Sequence, residues 1–304
     1  MVQAVIFREL SNLSPGRVRL GESMQKHTSW RIGGPAELFV EPVNGGELGQ
    51  VIAFAHHHKI PMTVIGAGSN ILVSDAGIKG LVIKLGRSMS KISLEGNEIT
   101  AEAGARLAKV AAVAKEAGLG GFEFSAGIPG AIGGAIVMNA GANGADIGAL
   151  VSKVMIVDQA GRAFTKNNRD MEFGYRKSVL QEDPAVVAEA TFTCYPRDRA
   201  LIQTETDEYL SKRKGSQPNG CPNAGSVFKN PAGDSAGRLI EAAGLKGLVV
   251  GNAQVSTIHA NFIVNLGSAA AVDVTELISR IKAEVYNRFS VELQTEIKFA
   301  GFQE

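Results

Sequence analysis

The sequence predicts an α+β protein built on mixed sheets, and three observations carry that reading. Short β-branched runs recur and pair across turn residues, as in Lys91–Leu94, Glu95-Gly96-Asn97 and Ile99–Glu102. Helical periodicity is confined to a few segments. The strongest spans 273–288, with Val274, Leu277, Ile278, Ile281 and Val285 at the spacing of one buried face. The regular strand-helix-strand alternation of a doubly wound fold is missing.

In chain order, residues 1–26 read as a helical lead-in and a loop. Ala36–Val40 is a strand, followed by a turn at Pro42-Val43-Asn44-Gly45-Gly46 and a helix over about 47–58. Met62–Ile65 is a strand that breaks into a glycine loop, and Leu81–Leu85 is another. The hairpin at 91–102 opens a new unit, and a helix follows over about 106–117, ending at Gly118. Val154–Val157 and Arg162–Thr165 form a hairpin around Gln159-Ala160-Gly161, and Ala185–Phe192 is a strand. Residues 197–217, dense in Arg, Lys, Asp and Glu, read as a solvated helix at a domain junction. Asp273 and Glu276 give the last helix a start like a capping box, and Val291–Phe299 is the final strand.

Composition bounds the function. The chain has 304 residues, 45% apolar and 20% charged, as in a soluble globular protein of two or three domains. A net charge of +1 favours neither nucleic acid nor an anionic membrane. No apolar window has the length and character of a membrane span. The start, MVQAVIFRELSNL, lacks the basic opening and long apolar core of a signal peptide. Cys194 and Cys221 form no metal pair or disulfide framework, so a reducing cytoplasm is expected. Three consecutive histidines, His56 to His58, point about 100° apart on a helix and cannot converge on one metal ion. Glycine is abundant, at 36 residues.

The glycines concentrate where a ligand would lie. Gly127–Gly144 reads GIPGAIGGAIVMNAGANG, uncharged and apolar between its glycines. A flexible linker would be polar. Such a stretch suits either a tightly packed turn or a backbone pressed against a flat ligand. A second loop, Gly66-Ala67-Gly68-Ser69-Asn70-Ile71, follows the Met62–Ile65 strand. It presents several backbone N–H groups together with Ser69 and Asn70, the chemistry of a phosphate cradle. Ile71 stands where a dinucleotide fingerprint needs its third glycine, and no Walker lysine follows. The pair of loops suggests a dinucleotide with its pyrophosphate on one and its ring on the other.

Three further segments carry polar chemistry. FGYRKS (173–178) places Arg176, a permanent cation suited to carboxylates, beside Tyr175. AGSVFKNP (224–231) sets Ser226 after a tight turn, with Lys229 and Asn230 close behind, and lacks the hydrolase elbow pattern. QVSTIHANFIVN (254–265) contributes Gln254, His259 and Asn261. Glu296, in LQTEI, shares a strand face with Gln294 and Lys298 if alternation is strict.

Together with HTSWRIGGPA (27–36), VIGAGSNILVSD (64–75), EFSAGIPGAIGGAIVMNAGANG (123–144) and AGRLIEAAGLKG (236–247), these segments resemble the UDP-N-acetylenolpyruvoylglucosamine reductases, flavoenzymes of bacterial peptidoglycan precursor synthesis. The likeness runs from about His27 to the C-terminus. It implies a vanillyl-alcohol-oxidase/PCMH-type FAD-binding domain of two α+β subdomains (about 27–88 and 89–197). A lead-in at 1–26 precedes it, and a C-terminal α+β substrate-binding domain over 198–304 follows. By the resemblance, 66–71 hold the FAD pyrophosphate. The stretch with Gly127, Ile128, Pro129, Gly130, Gly133, Gly134, Asn139 and Gly141 packs along the flavin. FAD is non-covalent, since Ser69 and Asn70 stand where related flavoproteins carry a linking histidine.

The same likeness implies that NADPH reduces FAD and that a hydride then reaches the methylene carbon of the enolpyruvyl ether of a UDP-sugar. Arg176 and Glu296 hold the carboxylate, and Ser226 supplies the final proton. Glu296 helps only if protonated or bridged by water, because a bare carboxylate repels the intermediate. Tyr175, Lys229, Asn230, Gln254 and His259 are candidates for substrate contacts. A cytoplasmic monomer acting on a small molecule is implied. LQTEI, CPNAGS and Trp30 depart from the common pattern without removing a catalytic group. The lack of a long insertion between Tyr175 and Ser226 marks the short form. The competing readings are an FAD electron-transfer subunit of a molybdenum-hydroxylase-type complex and a non-enzymatic nucleotide sensor.

Overall fold

A computed structural model describes residues 2–302. The chain divides into two compact units, each assembled from three stretches. Unit 1 comprises Met1–Leu20, Leu38–Ala67 and Gly80–Lys212, and unit 2 comprises Gly21–Glu37, Gly68–Lys79 and Arg213–Glu304.

Unit 1 carries helices α1 (Val2–Leu13), α2 (Gly45–His57), α3 (Leu107–Glu116) and α4 (Ile132–Val137), and most of α5 (Arg199–Ser216). Its largest sheet is fully antiparallel. The strands run in the order Ala163–Asn167, Val151–Val157, Val186–Thr193, Glu98–Glu102, Ile92–Glu95. Both expected hairpins are in it. A four-stranded sheet has the order Val18–Ser23, Pro35–Val40, Ile78–Lys84, Met62–Ile65, and its last pair is parallel. The Val18–Ser23 strand falls inside the segment read as a loop. Its residues are half-buried at both ends and exposed in the middle, with no alternation of burial, so no strand period stands out there.

Helix α2 starts at Gly45, inside the expected turn, because the Asn44 side chain caps it by accepting the Glu47 N–H at 2.9 Å. It buries Leu48, Val51, Ile52 and Ala55 on one face. Gly49 lets that helix touch the 158–161 turn. A Cβ there would lie 2.5 Å from the Gly161 carbonyl oxygen, and one on Gly161 would lie 2.3 Å from that of Gly49.

Unit 2 carries α6 (Ala236–Ala242) and α7 (Ala271–Phe289). Helix α7 buries the five residues its period predicts, against a core that includes Leu239, Ile240 and Trp30. Trp30 is fully buried, and its indole N–H donates to the Ile263 carbonyl at 2.8 Å. The N-terminus of α7 is capped differently from the expectation. Asp273 is the third helical residue and accepts the Ala270 N–H, while both oxygens of distant Asp75 take the Ala271 and Val272 N–H groups at 2.8 and 3.0 Å.

The final strand is also shorter than expected. Only Lys298–Ala300 is a strand, parallel to Ile71–Val73. Upstream, Leu293 and Ile297 are buried with the spacing of one strand face, but the chain there pairs only through an isolated bridge between Thr295 and Phe228, so no ladder forms. Glu296 therefore lies in irregular chain, outside the strand face shared with Gln294 and Lys298.

Candidate active site

Unit 1 brings the two glycine segments together. A Cβ on Gly66 would lie 3.4 Å from the Ala131 Cβ and 3.9 Å from the Gly134 nitrogen. The stretch from 127 opens with Gly127 at φ +73°, then turns into the short helix α4. Its first turn is tied down, because the Ile132 and Gly133 N–H groups donate to the Ala105 and Ala103 carbonyls at 2.9 and 2.8 Å. Gly133 is buried against Ala103, whereas Gly134 is exposed and a Cβ on it would meet nothing within 4 Å. An exposed glycine before open space, set in apolar chain beside the Gly66 loop, fits a flat ligand approaching the backbone.

Lys84 is the residue here that sequence reasoning missed. It ends a strand, and its Nζ donates to the Gly66 carbonyl at 2.6 Å. Burial pushes its ammonium down from 10.5 to about 8, with nearby Arg106 adding to the effect and Glu41 opposing it. A lysine in a strand has no motif, so only the fold reveals its partner.

Asn139 stands just past the end of α4 at φ +43°, the left-handed position that asparagine tolerates. Its side chain is 2% exposed, and both ends of the amide are engaged inside unit 1. Oδ1 accepts the Gly148 N–H and Nδ2 donates to the Gly174 carbonyl, each at 2.9 Å. It therefore links the glycine stretch to the segment bearing Arg176.

That segment is a tight turn. Gly174 and Lys177 exchange two backbone hydrogen bonds of 3.0 Å, leaving Tyr175 and Arg176 at the tip. Arg176 has φ +54°, a conformation usually left to Gly or Asn. Its guanidinium carbon sits 5.3 Å from the Tyr175 ring centroid, and Tyr175 is exposed.

Unit 2 assembles the other polar residues. Gly225, at φ +76°, turns the chain between buried Ala224 and half-buried Ser226. The next residues lie between two other segments. On one side Asn261 makes three bonds to them. Its carbonyl accepts the Val227 N–H, its Oδ1 the Phe228 N–H, and its Nδ2 donates to the Phe228 carbonyl, at 2.8, 2.9 and 2.8 Å. On the other side the Glu296 N–H donates to the Val227 carbonyl at 2.8 Å, and the Lys229 N–H donates to Gln294 at 2.9 Å. Asn70 joins them, its Nδ2 donating to the Glu296 carbonyl at 3.2 Å. Asn70, Ser226, Lys229 and Glu296, far apart in sequence, thus converge in one unit.

The phosphate-type loop is fixed in unit 2 by close approach. Gly68 has φ +68°, and a Cβ on it would sit 1.9 Å from the His27 carbonyl oxygen. Ser29 N–H donates to the Gly68 carbonyl at 2.9 Å. Burial and the Lys229 ammonium both push Lys298 below the ordinary lysine value.

The remaining predicted contacts are tied to the scaffold. Asn230 Oδ1 accepts the Ala236 N–H at 3.1 Å near the start of α6. Gln254 Nε2 reaches the Gly247 carbonyl at 3.3 Å. His259 Nδ1 accepts the Asn261 N–H at 3.2 Å, and burial and Lys246 favour its neutral form. Among the described residues no group of histidine, cysteine and carboxylate side chains could hold a metal ion, and no helix is long and apolar enough to cross a membrane.

Comparison with known proteins decides the family. Residues 217–300 match the model of the UDP-N-acetylenolpyruvoylglucosamine reductase C-terminal domain, and 36–166 match an FAD-binding domain. A UDP-N-acetylenolpyruvoylglucosamine reductase of Desulforamulus reducens is 49% identical over 99% of both chains. The chain belongs to the UDP-N-acetylenolpyruvoylglucosamine reductase family. Another family member, from Halalkalibacterium halodurans, is 41% identical over 97% of this chain and 98% of its own. The crystal structure of the reductase from Thermus caldophilus superposes with a TM-score of 0.81 at 36% identity, covering 93% of this chain and 98% of that one. Berberine bridge enzyme, 14% identical, matches 64% of this chain and 43% of its own at a TM-score of 0.51, a likeness of fold alone.

As in this reductase family, the chain carries an FAD-binding domain, and the residues present fit the cofactor. The open face at Gly134 beside the Gly66 loop leaves room for a flat group.

Lys84 gives the first testable consequence. Lys84→Met is expected to weaken FAD binding about tenfold, because the Gly66 loop loses the charge-assisted hydrogen bond that fixes its shape, read by fluorescence titration. Unchanged affinity would contradict it. The sign of a second effect follows from the lowered value. The unfolded chain keeps this proton up to about 10.5 and the folded chain only to about 8. Lys84 therefore makes apoprotein stability rise with pH across that window, and the methionine variant should lack that rise.

Proposed function

We propose that the chain reduces the enolpyruvyl ether of UDP-N-acetylglucosamine enolpyruvate to UDP-N-acetylmuramate, with NADPH as reductant, in peptidoglycan precursor synthesis. The observation that carries the reading is the pairing of an FAD-binding domain with a polar cluster in unit 2, where hydrogen bonds draw Asn70, Lys229 and Glu296 to the segment bearing Ser226. An electron-transfer subunit would need no such set, and relatives matched over nearly the whole chain are reductases.

FAD, when bound, supplies the hydride relay from NADPH to the methylene carbon of the enolpyruvyl group. Addition there leaves an electron pair on the neighbouring carbon, delocalised into the carboxylate. Arg176 stabilises that charge, its planar guanidinium matching the two carboxylate oxygens. Glu296, protonated or through a water, completes the grip. Ser226 Oγ–H gives its proton to the carbon bearing the electron pair, and the alkoxide left on Oγ is reprotonated from solvent. The sum is one NADPH and one proton consumed per double bond saturated. A serine hydroxyl is a weak acid in water, so the step relies on the basicity of the enolate and on the fixed Gly225–Phe228 backbone. Lys229 orients the serine or meets the substrate.

The test is the product. Incubation in deuterium oxide with NADPH should give UDP-N-acetylmuramate with deuterium at the carbon next to the carboxylate. NADPH oxidised without any UDP-N-acetylmuramate would contradict the assignment.

A further inference from the structure

Arg176 holds a backbone conformation that non-glycine residues adopt at a cost, so something must keep it there. The structure names that restraint. The side-chain Nε2 of Gln181 donates to the Arg176 carbonyl at 2.8 Å and to the Val137 carbonyl at 3.1 Å. Val137 is the last residue of α4, whose final carbonyls have no helical partner. The Ser178 hydroxyl donates to the same oxygen at 2.7 Å. The turn is thus fastened to the end of the glycine helix at three points. Asn139 holds Gly174, Gln181 holds Arg176 itself, and Ser178 holds Val137.

From this geometry we infer that Gln181 is a positioning residue for the reduction: its amide locks the left-handed Arg176 backbone and aims the guanidinium at the substrate carboxylate. The inference rests on the reading of Arg176 as the carboxylate partner. Without that amide the Arg176 carbonyl loses its tie to the end of α4, and the turn closed by Gly174 and Lys177 can tilt and redirect the side chain. The second bond of the same amide, to the Val137 carbonyl, ties the arginine turn to the helix carrying Gly134, so the spacing between the cofactor stretch and Arg176 is set inside unit 1. Nothing in the local sequence VLQED signals this, because Gln181 reads as an ordinary polar residue after a turn.

The experiment uses the FAD-loaded enzyme and separates the half-reactions in anaerobic stopped flow. Gln181→Met keeps the length of the side chain and removes both donors. Flavin reduction by NADPH should stay within about twofold, while reoxidation by the enolpyruvyl sugar slows on the order of 10- to 100-fold, the scale of a misplaced group. Gln181→Leu serves the same purpose if the methionine is not tolerated. The deciding readout is a double-mutant cycle with Arg176→Ala. In that background the Gln181 change should cost nothing further, because a residue acting only through Arg176 has nothing left to position. Equal losses in both backgrounds, or reoxidation at the wild-type rate in Gln181→Met, would overturn the proposal. If Arg176→Ala alone leaves reoxidation unchanged, the reading of Arg176 fails and takes this inference with it.

Discussion

Ser226→Ala is expected to leave reduction of the flavin by NADPH intact and to slow reoxidation by the enolpyruvyl sugar by about 10²- to 10⁴-fold, the usual worth of a positioned general acid. The substitution removes one oxygen and keeps Cβ. Backbone bonds from Asn261 and Glu296 hold the following residues in place whatever the side chain at 226. A folding defect is therefore not expected, and bound FAD should be retained. Loss of both half-reactions together would mean that Ser226 serves the structure or the cofactor. Full retention of reoxidation would mean that another group delivers the proton.

Arg176→Ala should act on the same half-reaction, because the negative charge appears only once the hydride has arrived. Removing a preorganised positive group from developing charge costs on the order of 10²- to 10³-fold. Arg176→Lys should recover only part of it, since an ammonium cannot match two carboxylate oxygens in the plane. Alanine at φ +54° is no worse placed than arginine, so a loss cannot be laid to backbone strain. Equal slowing of NADPH oxidation would contradict the assignment. So would a rise in substrate KM with reoxidation at saturation unchanged, because the guanidinium would then only bind the ground state.

What the sequence made legible was local. The 91–102 hairpin, the buried face of α7 and both glycine segments depend on residues close in the chain, and the structure has them where they were expected. The meeting of Gly66 with Gly134 was anticipated only as a pairing of loop types, with no pattern to specify the contact. Long-range partners were illegible. Asp75 caps α7 from 196 residues away, and Trp30 donates to a carbonyl 233 residues along the chain. Neither side chain differs locally from an ordinary turn aspartate or core tryptophan. The last expected strand is cut short because Leu293 and Ile297 have the spacing of a strand face but only Thr295 finds a bridge partner before Lys298, and a local pattern says nothing of partners. At the candidate site, the residue types were readable, but their restraints were not. Asn139, counted with the cofactor contacts, has its amide spent on Gly148 and Gly174, and Lys84 and Gln181 carry no motif at all.

The central claim is that one flavin passes electrons from NADPH to an enolpyruvyl sugar on this chain. Anaerobic stopped-flow spectroscopy tests it most directly, mixing the FAD-loaded protein first with NADPH and then with UDP-N-acetylglucosamine enolpyruvate. Bleaching of the flavin band on the first addition and its full return on the second is the predicted result. Bleaching that persists after the enolpyruvyl sugar is added would show a flavoprotein with a different electron acceptor and would contradict the account.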